Sequence, residues 1–172
     1  YSRDIPIVLS TNSDCELVDG LGTDANNTTH ERGAMNYNVS PGWSKLSNVW
    51  DAMYSIIENA NLIVEGINKS SLLTSGDSDQ RAMERFKGEA LTIRAMVYFD
   101  LIRLFGDIPY KSESSNPDLS NVYLGKSDRD VIMDELIKDL ETAITLLPWA
   151  GEVSAYTTER VTKGYAHSLL AN

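Results

Sequence analysis

Residues 85–110 read RFKGEALTIRAMVYFDLIRLFGDIPY. Apolar side chains at Phe86, Ala90, Ile93, Val97, Leu101 and Leu104 recur at steps of three and four, the period of a helix with one buried face. Gly106 and Pro109 stop it. Gly88 interrupts the pattern, because a glycine inside a helix costs about 1 kcal/mol relative to alanine. It predicts a neighbour packed too closely for a Cβ, and the neighbour expected is the preceding helix. Glu89 and Arg94 stand five residues apart, so they point to different faces and do not pair along the helix. Each needs a partner elsewhere: a helix end, a loop carbonyl, or Asn61 of the preceding helix.

Working outward, a long stripe of Leu46, Val49, Trp50, Met53, Ile57, Ala60, Val64 and Ile67 follows the turn SPGW and predicts a helix over 44–68, with Asn61 on the same face. The turn residues SGDSD open the second helix, expected over 79–105. Ser127-Asp128-Arg129-Asp130 starts a third over 128–147, burying Ile132, Leu136, Leu140, Ile144 and Leu147 before Pro148. A fourth begins near Thr162, with no stop signal before Asn172. The fold class is therefore all-α: one domain over 1–172, built as two tetratricopeptide-like helical hairpins with long connecting loops at 16–43 and 107–126. The first helix pairs with the second and the third with the fourth. Trp50 and Tyr54 read as core.

The chain has 172 residues, 42% of them hydrophobic, and a formal net charge of −10. That charge argues against nucleic acid and against anionic membrane surfaces, both of which recruit clustered lysine and arginine. No apolar run approaches the roughly 18 residues of a membrane span. The single cysteine, Cys15, leaves no internal disulfide and no cysteine metal cage, and His30 and His167 share no metal-binding spacing. No metal and no cofactor are expected. Acidic pairs such as Asp77 with Asp79 and Asp128 with Asp130 stand at helix starts, where they complement the helix dipole rather than form a catalytic dyad. The segment Asp24-Ala25-Asn26-Asn27-Thr28 resembles a calcium loop, yet it lacks the turn glycine and has Met35 at the twelfth position. Sequons at Asn26, Asn27, Asn38 and Asn68 would matter only in a eukaryotic secreted protein.

With the helices placed, Trp50, Tyr54, Ile57 and Ala60-Asn61, then Gly88-Glu89-Ala90, Arg94-Ala95 and Tyr98-Phe99, then Leu104 to Pro109 with Gly106 and Pro109 among them, resemble the N-terminal half of the SusD/RagB family. Ser13-Asp14 resembles its S-D signature. Asp139-Leu140, Ala143 and Leu146 to Pro148, followed by Thr162-Lys163, Ala166 and Leu169 to Ala171, resemble its later segments. The resemblance implies a non-enzymatic, lipid-anchored protein on the surface of the cell outer membrane. Such a protein captures oligosaccharides or other oligomeric nutrients for a SusC-type TonB-dependent transporter. It also implies that signal peptide, lipidated cysteine and C-terminal half lie outside this chain, so membrane contact comes only through the missing anchor.

Sugar recognition asks for an aromatic platform flanked by amides, carboxylates or guanidinium groups that reach paired hydroxyls. The 16–43 loop combines these types: Trp43 or Tyr37 as platform, and Asp24, Asn26, Asn27 and Arg32 as hydroxyl partners. It reads equally as a solvated loop with Trp43 stapled to the helix start. Where some glycan-binding members of the family carry tryptophans after the S-D signature, this chain has Glu16-Leu17-Val18-Asp19, which argues against a starch-like platform. Trp149 and Tyr156, after Pro148, are secondary candidates. The alternative is a helical-repeat scaffold that binds protein and has no sugar site. A hydrolase would have only the acidic composition behind it.

Overall fold

The computed structural model describes residues 42, 44–74, 78–116, 118, 120, 122–154 and 159–172. Helices run over Ser44–Asn68 (α1), Ser78–Phe105 (α2), Arg129–Leu146 (α3) and Lys163–Leu170 (α4), with a short 3-10 turn at Ser71–Thr74. These ranges lie within a residue or two of those the apolar periods predict. The 3-10 turn was not foreseen. Two compact units divide the chain, Tyr1–Tyr54 and Ser55–Asn172, and α1 crosses from one into the other.

In the first unit, Val49 and Met53 are buried, while Trp50 and Tyr54 are half-buried with their rings 4.9 Å apart and tilted by 41°. Burial raises the Tyr54 hydroxyl above its ordinary range.

In the second unit, three pairings between side chains give the register of the helices. Asn61 of α1 meets Arg94 of α2, and Asn68 meets Lys87, so α1 and α2 run antiparallel. Arg94 meets Asp139 of α3, and Gly88 lies against Leu146 and Leu147, so α2 and α3 are antiparallel too. The Lys163 amide donates to the Pro148 carbonyl (2.8 Å), which turns α4 back along α3. Asp128 caps α3 through the Asp130 amide and Thr162 caps α4 through the Tyr165 amide, each satisfying an amide the helix leaves unpaired.

α2 is the central element, and it departs from the single buried face its stripe predicts. Gly88, Ala90, Leu91, Thr92, Arg94, Ala95, Val97, Tyr98 and Leu101 are all buried, which exceeds one stripe, whereas Phe86 is exposed and Ile93 and Leu104 are half-buried. Contacts on several sides explain this: α1, α3 and the segment after α2 all pack on it. The buried Thr92 hydroxyl is satisfied by donating to the Gly88 carbonyl at 2.8 Å. In α3 the buried positions are Ile132, Leu136, Leu140 and Ala143, so Ala143 takes the place expected of Ile144, which is half-buried.

α2 ends at Gly106, whose φ of 73° is the left-handed conformation of a helix-terminating glycine, with its amide donating to the Ile102 carbonyl at 2.9 Å. Two residues on, the fully buried Ile108 forms an isolated antiparallel bridge with Ser127. The 107–126 loop therefore leaves and returns at one place.

The neighbour of Gly88 is not α1, as expected, but the end of α3. A Cβ on Gly88 would lie 2.9 Å from Leu147 Cγ and 3.2 Å from Leu146 Cβ, too close for either to stay where it is. Leu147 is itself buried, at 2% exposure, and cannot swing into solvent. We therefore expect Gly88→Leu to destabilise the protein by about 1–3 kcal/mol through overpacking. Replacing Leu147 by alanine in the same chain should recover part of that loss. Urea denaturation of the single and double variants checks it; a Gly88→Leu midpoint equal to the parent's would show that the contact has slack.

Candidate functional site

The loop residues expected to bind ligand, Asp24, Asn26, Asn27, Arg32, Tyr37 and Trp43, lie outside the described residues, as do Asp14 and Tyr156. What the structure does assemble is a polar clamp around the start of the other long loop. At its centre is the Arg94 side chain on α2, 5% exposed. Its Nε and Nη2 donate to the two carboxylate oxygens of Asp139 on α3 at 2.8 and 2.7 Å, and Nη1 donates to Asn61 Oδ1 at 2.7 Å and to the Ser112 carbonyl at 3.0 Å. Burial raises the Asp139 carboxyl above its ordinary range, and the guanidinium counters that by pairing with both oxygens.

Asn61, fully buried, completes the arrangement by donating Nδ2 to the Lys111 and Glu113 carbonyls at 3.1 and 2.9 Å. The Tyr98 hydroxyl donates to the Lys111 carbonyl and accepts from the Lys111 amide, at 3.0 and 2.8 Å. Tyr98 packs against Tyr110 with ring centroids 5.0 Å apart, and burial pushes the Tyr110 hydroxyl up to about 12.

Two glutamates of α1 hold the next residues. Glu58 accepts from the Ser115 amide (2.7 Å) and the Lys111 ammonium (2.9 Å), and Glu65 accepts from the Ser114 amide (2.6 Å) and hydroxyl (2.9 Å). The Lys111 ammonium also donates to the Ser115 hydroxyl. Glu58, Asn61 and Glu65 thus present one face of α1 to residues 111–115, as a spacing of three and then four residues requires. Sequence reasoning singled out Asn61 and missed both glutamates. The signal was there in their spacing around it, but carboxylates on a helix normally read as a solvated face.

Glu89 and Arg94 do take different partners. Glu89 is paired through both carboxylate oxygens with Arg160, whose guanidinium lies 5.2 Å from the Phe86 ring centre. This pair sits at the rim of an apolar groove of about 510 Å³ between α1 and α2, lined by Leu62, Ile63, Ile67, Phe86 and Ile93. Beyond the clamp the 107–126 loop exposes Val122, Tyr123 and Leu124, with Tyr123 at 93%. Trp149, also exposed, stands beside α4. Among the described residues no cluster of histidine, cysteine and carboxylate side chains could hold a metal. The clamp has its polar groups engaged with one another, so it fixes the loop rather than receiving a ligand.

A family model described as starch-binding associating with outer membrane, SusD-like, matches residues 4–172. The SusD-like protein P25 of Formosa agariphila is 29% identical over 105 residues, which cover 61% of this chain and 19% of that protein. Among solved structures, surface glycan-binding protein A from Bacteroides uniformis superposes with a TM-score of 0.77 at 20% identity, over 97% of this chain and 35% of its own. A laminarin-binding SusD-like protein superposes with a TM-score of 0.66 at 21% identity, over 97% of this chain and 37% of its own. The chain spans about a fifth to a quarter of the length of the curated relatives it matches, 19% to 27%.

The two glutamates that hold residues 114 and 115 generate a pH dependence. The Glu65 carboxyl is lowered by the Ser114 amide and hydroxyl; for Glu58, desolvation is outweighed by the Ser115 amide and Lys111, and the net shift is again downward. A depressed folded-state value means that the contribution of these two glutamates is complete above the ordinary glutamate value of about 4.3 and is lost as pH falls through the lower, folded value. The Ser114 and Ser115 amide proton resonances should therefore titrate with inflections below about 4.3. Inflections at or above that value would show that the carboxylates do not hold the Ser114 and Ser115 amides.

Proposed function

The chain belongs to the SusD-like family, and on that premise we propose that it is the helical N-terminal part of a surface nutrient-binding protein. In this reading the protein sits on the outer membrane through a lipid anchor, captures oligosaccharide, and passes it unchanged to a SusC-type TonB-dependent transporter. The observation that carries it is the family match, which runs through residues 4–172 rather than touching a single motif. Likeness in fold to a laminarin-binding SusD-like protein supports a glycan as the ligand class. No helix among the described residues is long and apolar enough to cross a membrane.

Physically, capture without chemistry asks for a rigid frame that presents loops, since each group ordered only on binding subtracts from affinity. The Arg94 clamp supplies such a frame for the 107–126 loop. The 16–43 loop, which runs into α1 at Ser44, supplies the proposed contacts: Trp43 or Tyr37 beneath the sugar ring, with Asp24, Asn26, Asn27 and Arg32 around it. A second reading, a protein-binding scaffold, is favoured by the exposed Leu62, Ile63 and Phe86 along the groove between α1 and α2.

A glycan array followed by calorimetry on the intact protein tests the proposal. We expect binding to at least one neutral oligosaccharide, and more than about tenfold weaker affinity in Trp43→Ala, Tyr37→Ala or Arg32→Ala, each checked for folding. An array without a hit would replace the glycan reading with the scaffold. Three variants binding like the parent would move the site away from the 16–43 loop.

A further inference from the structure

We propose that Trp149 is a separate carbohydrate-stacking subsite, built by the end of α3 and the first turns of α4, that takes a glucose unit of a neutral β-linked gluco-oligosaccharide. The proposal rests on the glycan-binding reading and adds a place and a sugar geometry to it.

The indole is presented, not buried. Pro148 ends α3, and Trp149 is 48% exposed immediately beyond it. Its backbone is fixed twice over: the Trp149 amide donates to Glu152 Oε2 at 2.8 Å, and the Glu152 amide donates back to the Trp149 carbonyl at 3.2 Å. Gly151, with a φ of 84°, makes the tight turn between them. The ring is held as well. His167 stacks on it with centroids 5.8 Å apart and planes 14° from parallel, and the six-membered ring of the indole lies beside Gly164, close enough that a Cβ there would be in ordinary van der Waals contact with it at 3.6 Å. The Lys163 ammonium stands 5.9 Å from the ring centre. The hydrogen bond that the Lys163 amide donates to the Pro148 carbonyl locks the α4 start to the turn that carries the tryptophan.

A large apolar side chain left half in water yet immobilised on both backbone and ring has already lost the freedom that binding would otherwise remove. His167 occupies one face of the ring, and the Lys163 ammonium and the Glu152 carboxylate stand near enough to donate to and accept from the hydroxyls of a sugar laid against the other. That combination, an apolar plane with a mixed polar rim, matches a pyranose. β-Linked glucose carries its hydroxyls equatorially and so offers a flat face of axial C–H bonds to an indole, with hydroxyls projecting at the edge. The formal net charge of −10 disfavours a polyanionic glycan in the same place.

The test uses the intact protein labelled with 5-fluorotryptophan, with the Trp149 resonance assigned through Trp149→Phe. Laminarihexaose, cellohexaose and a xylogluco-oligosaccharide are titrated in turn, and the same sugars are followed by calorimetry. We expect the Trp149 resonance to shift with at least one of them. Trp149→Ala should weaken that sugar's binding about tenfold, and Trp149→Tyr should stay within about threefold of the parent. Lys163→Ala, which leaves the indole in place, should weaken it severalfold, so the outcome does not hang on how well Trp149→Ala folds. If calorimetry shows binding while the Trp149 resonance stays still and the variants bind like the parent, this subsite is overturned and the glycan reading stands. If none of the three sugars binds, this proposal falls; an array that finds other glycans then leaves the wider reading intact, and an empty array removes both.

Discussion

Three helices of the second unit, α1, α2 and α3, meet at one planar group. The Arg94 guanidinium binds a carboxylate on α3, an amide on α1 and a carbonyl of the chain leaving α2, so one side chain sets the relative register of all four. Taking a cation out of water is costly, and the cost is offset only where the geometry is good and the donors are satisfied. Both conditions hold here: the fork of Nε and Nη2 matches Asp139 oxygen for oxygen, and Nη1 serves the remaining two acceptors. A lysine could not substitute, because an ammonium has no fork and would leave buried acceptors without donors.

The clamp holds the loop mainly through backbone. In residues 111–115 the groups engaged include the Lys111 amide and carbonyl, the Ser112 and Glu113 carbonyls, and the Ser114 and Ser115 amides. The specificity therefore lies largely in the helices, at Glu58, Asn61, Glu65, Arg94 and Tyr98, with the Lys111 and Ser114 side chains adding bonds to Glu58 and Glu65. A path fixed by its surroundings can carry different side chains without being lost. The exposed Val122, Tyr123 and Leu124 lie farther along a loop whose start is held in this way and whose end is closed by the bridge between Ile108 and Ser127.

Local signals carried most of the fold. Apolar spacing and capping residues located the four helices to within a residue or two, because those signals are written within a few residues of the boundary they mark. What sequence could not supply is the identity of neighbours. Gly88 declared that something approaches closely, yet nothing in its surroundings says whether that is α1 or the end of α3, and Leu147 proved to be the neighbour. The single apolar stripe of α2 failed for the same reason, since a helix packed on several sides hides small and polar residues such as Ala95, Thr92 and Arg94 outside the stripe. Arg94 and Glu89 were recognised as needing partners, but Asp139 and Arg160 lie 45 and 71 residues away in the chain. As for the site, the residues expected to touch ligand lie outside the described residues. The clamp glutamates were overlooked because carboxylates on a helix normally read as a solvated face, although their spacing around Asn61 puts all three on one side of α1.

The character of the buried centre bears on what kind of work this part of the protein does. A group that moves protons must have a lone pair or hydrogen open to a reacting partner, at a pKa near the working pH. Asp139 has both oxygens occupied by Arg94, Asn61 spends its oxygen and its nitrogen on Arg94 and the loop carbonyls, and the Tyr98 hydroxyl both gives and accepts at Lys111. A network so completely satisfied resists movement, because shifting any member leaves another polar group buried without its bond. It is a device for holding position. On the proposed glycan-binding reading, recognition is then left to side chains at the surface of the frame, and among the described residues the one that is large, aromatic, half exposed and fixed by its own turn is Trp149.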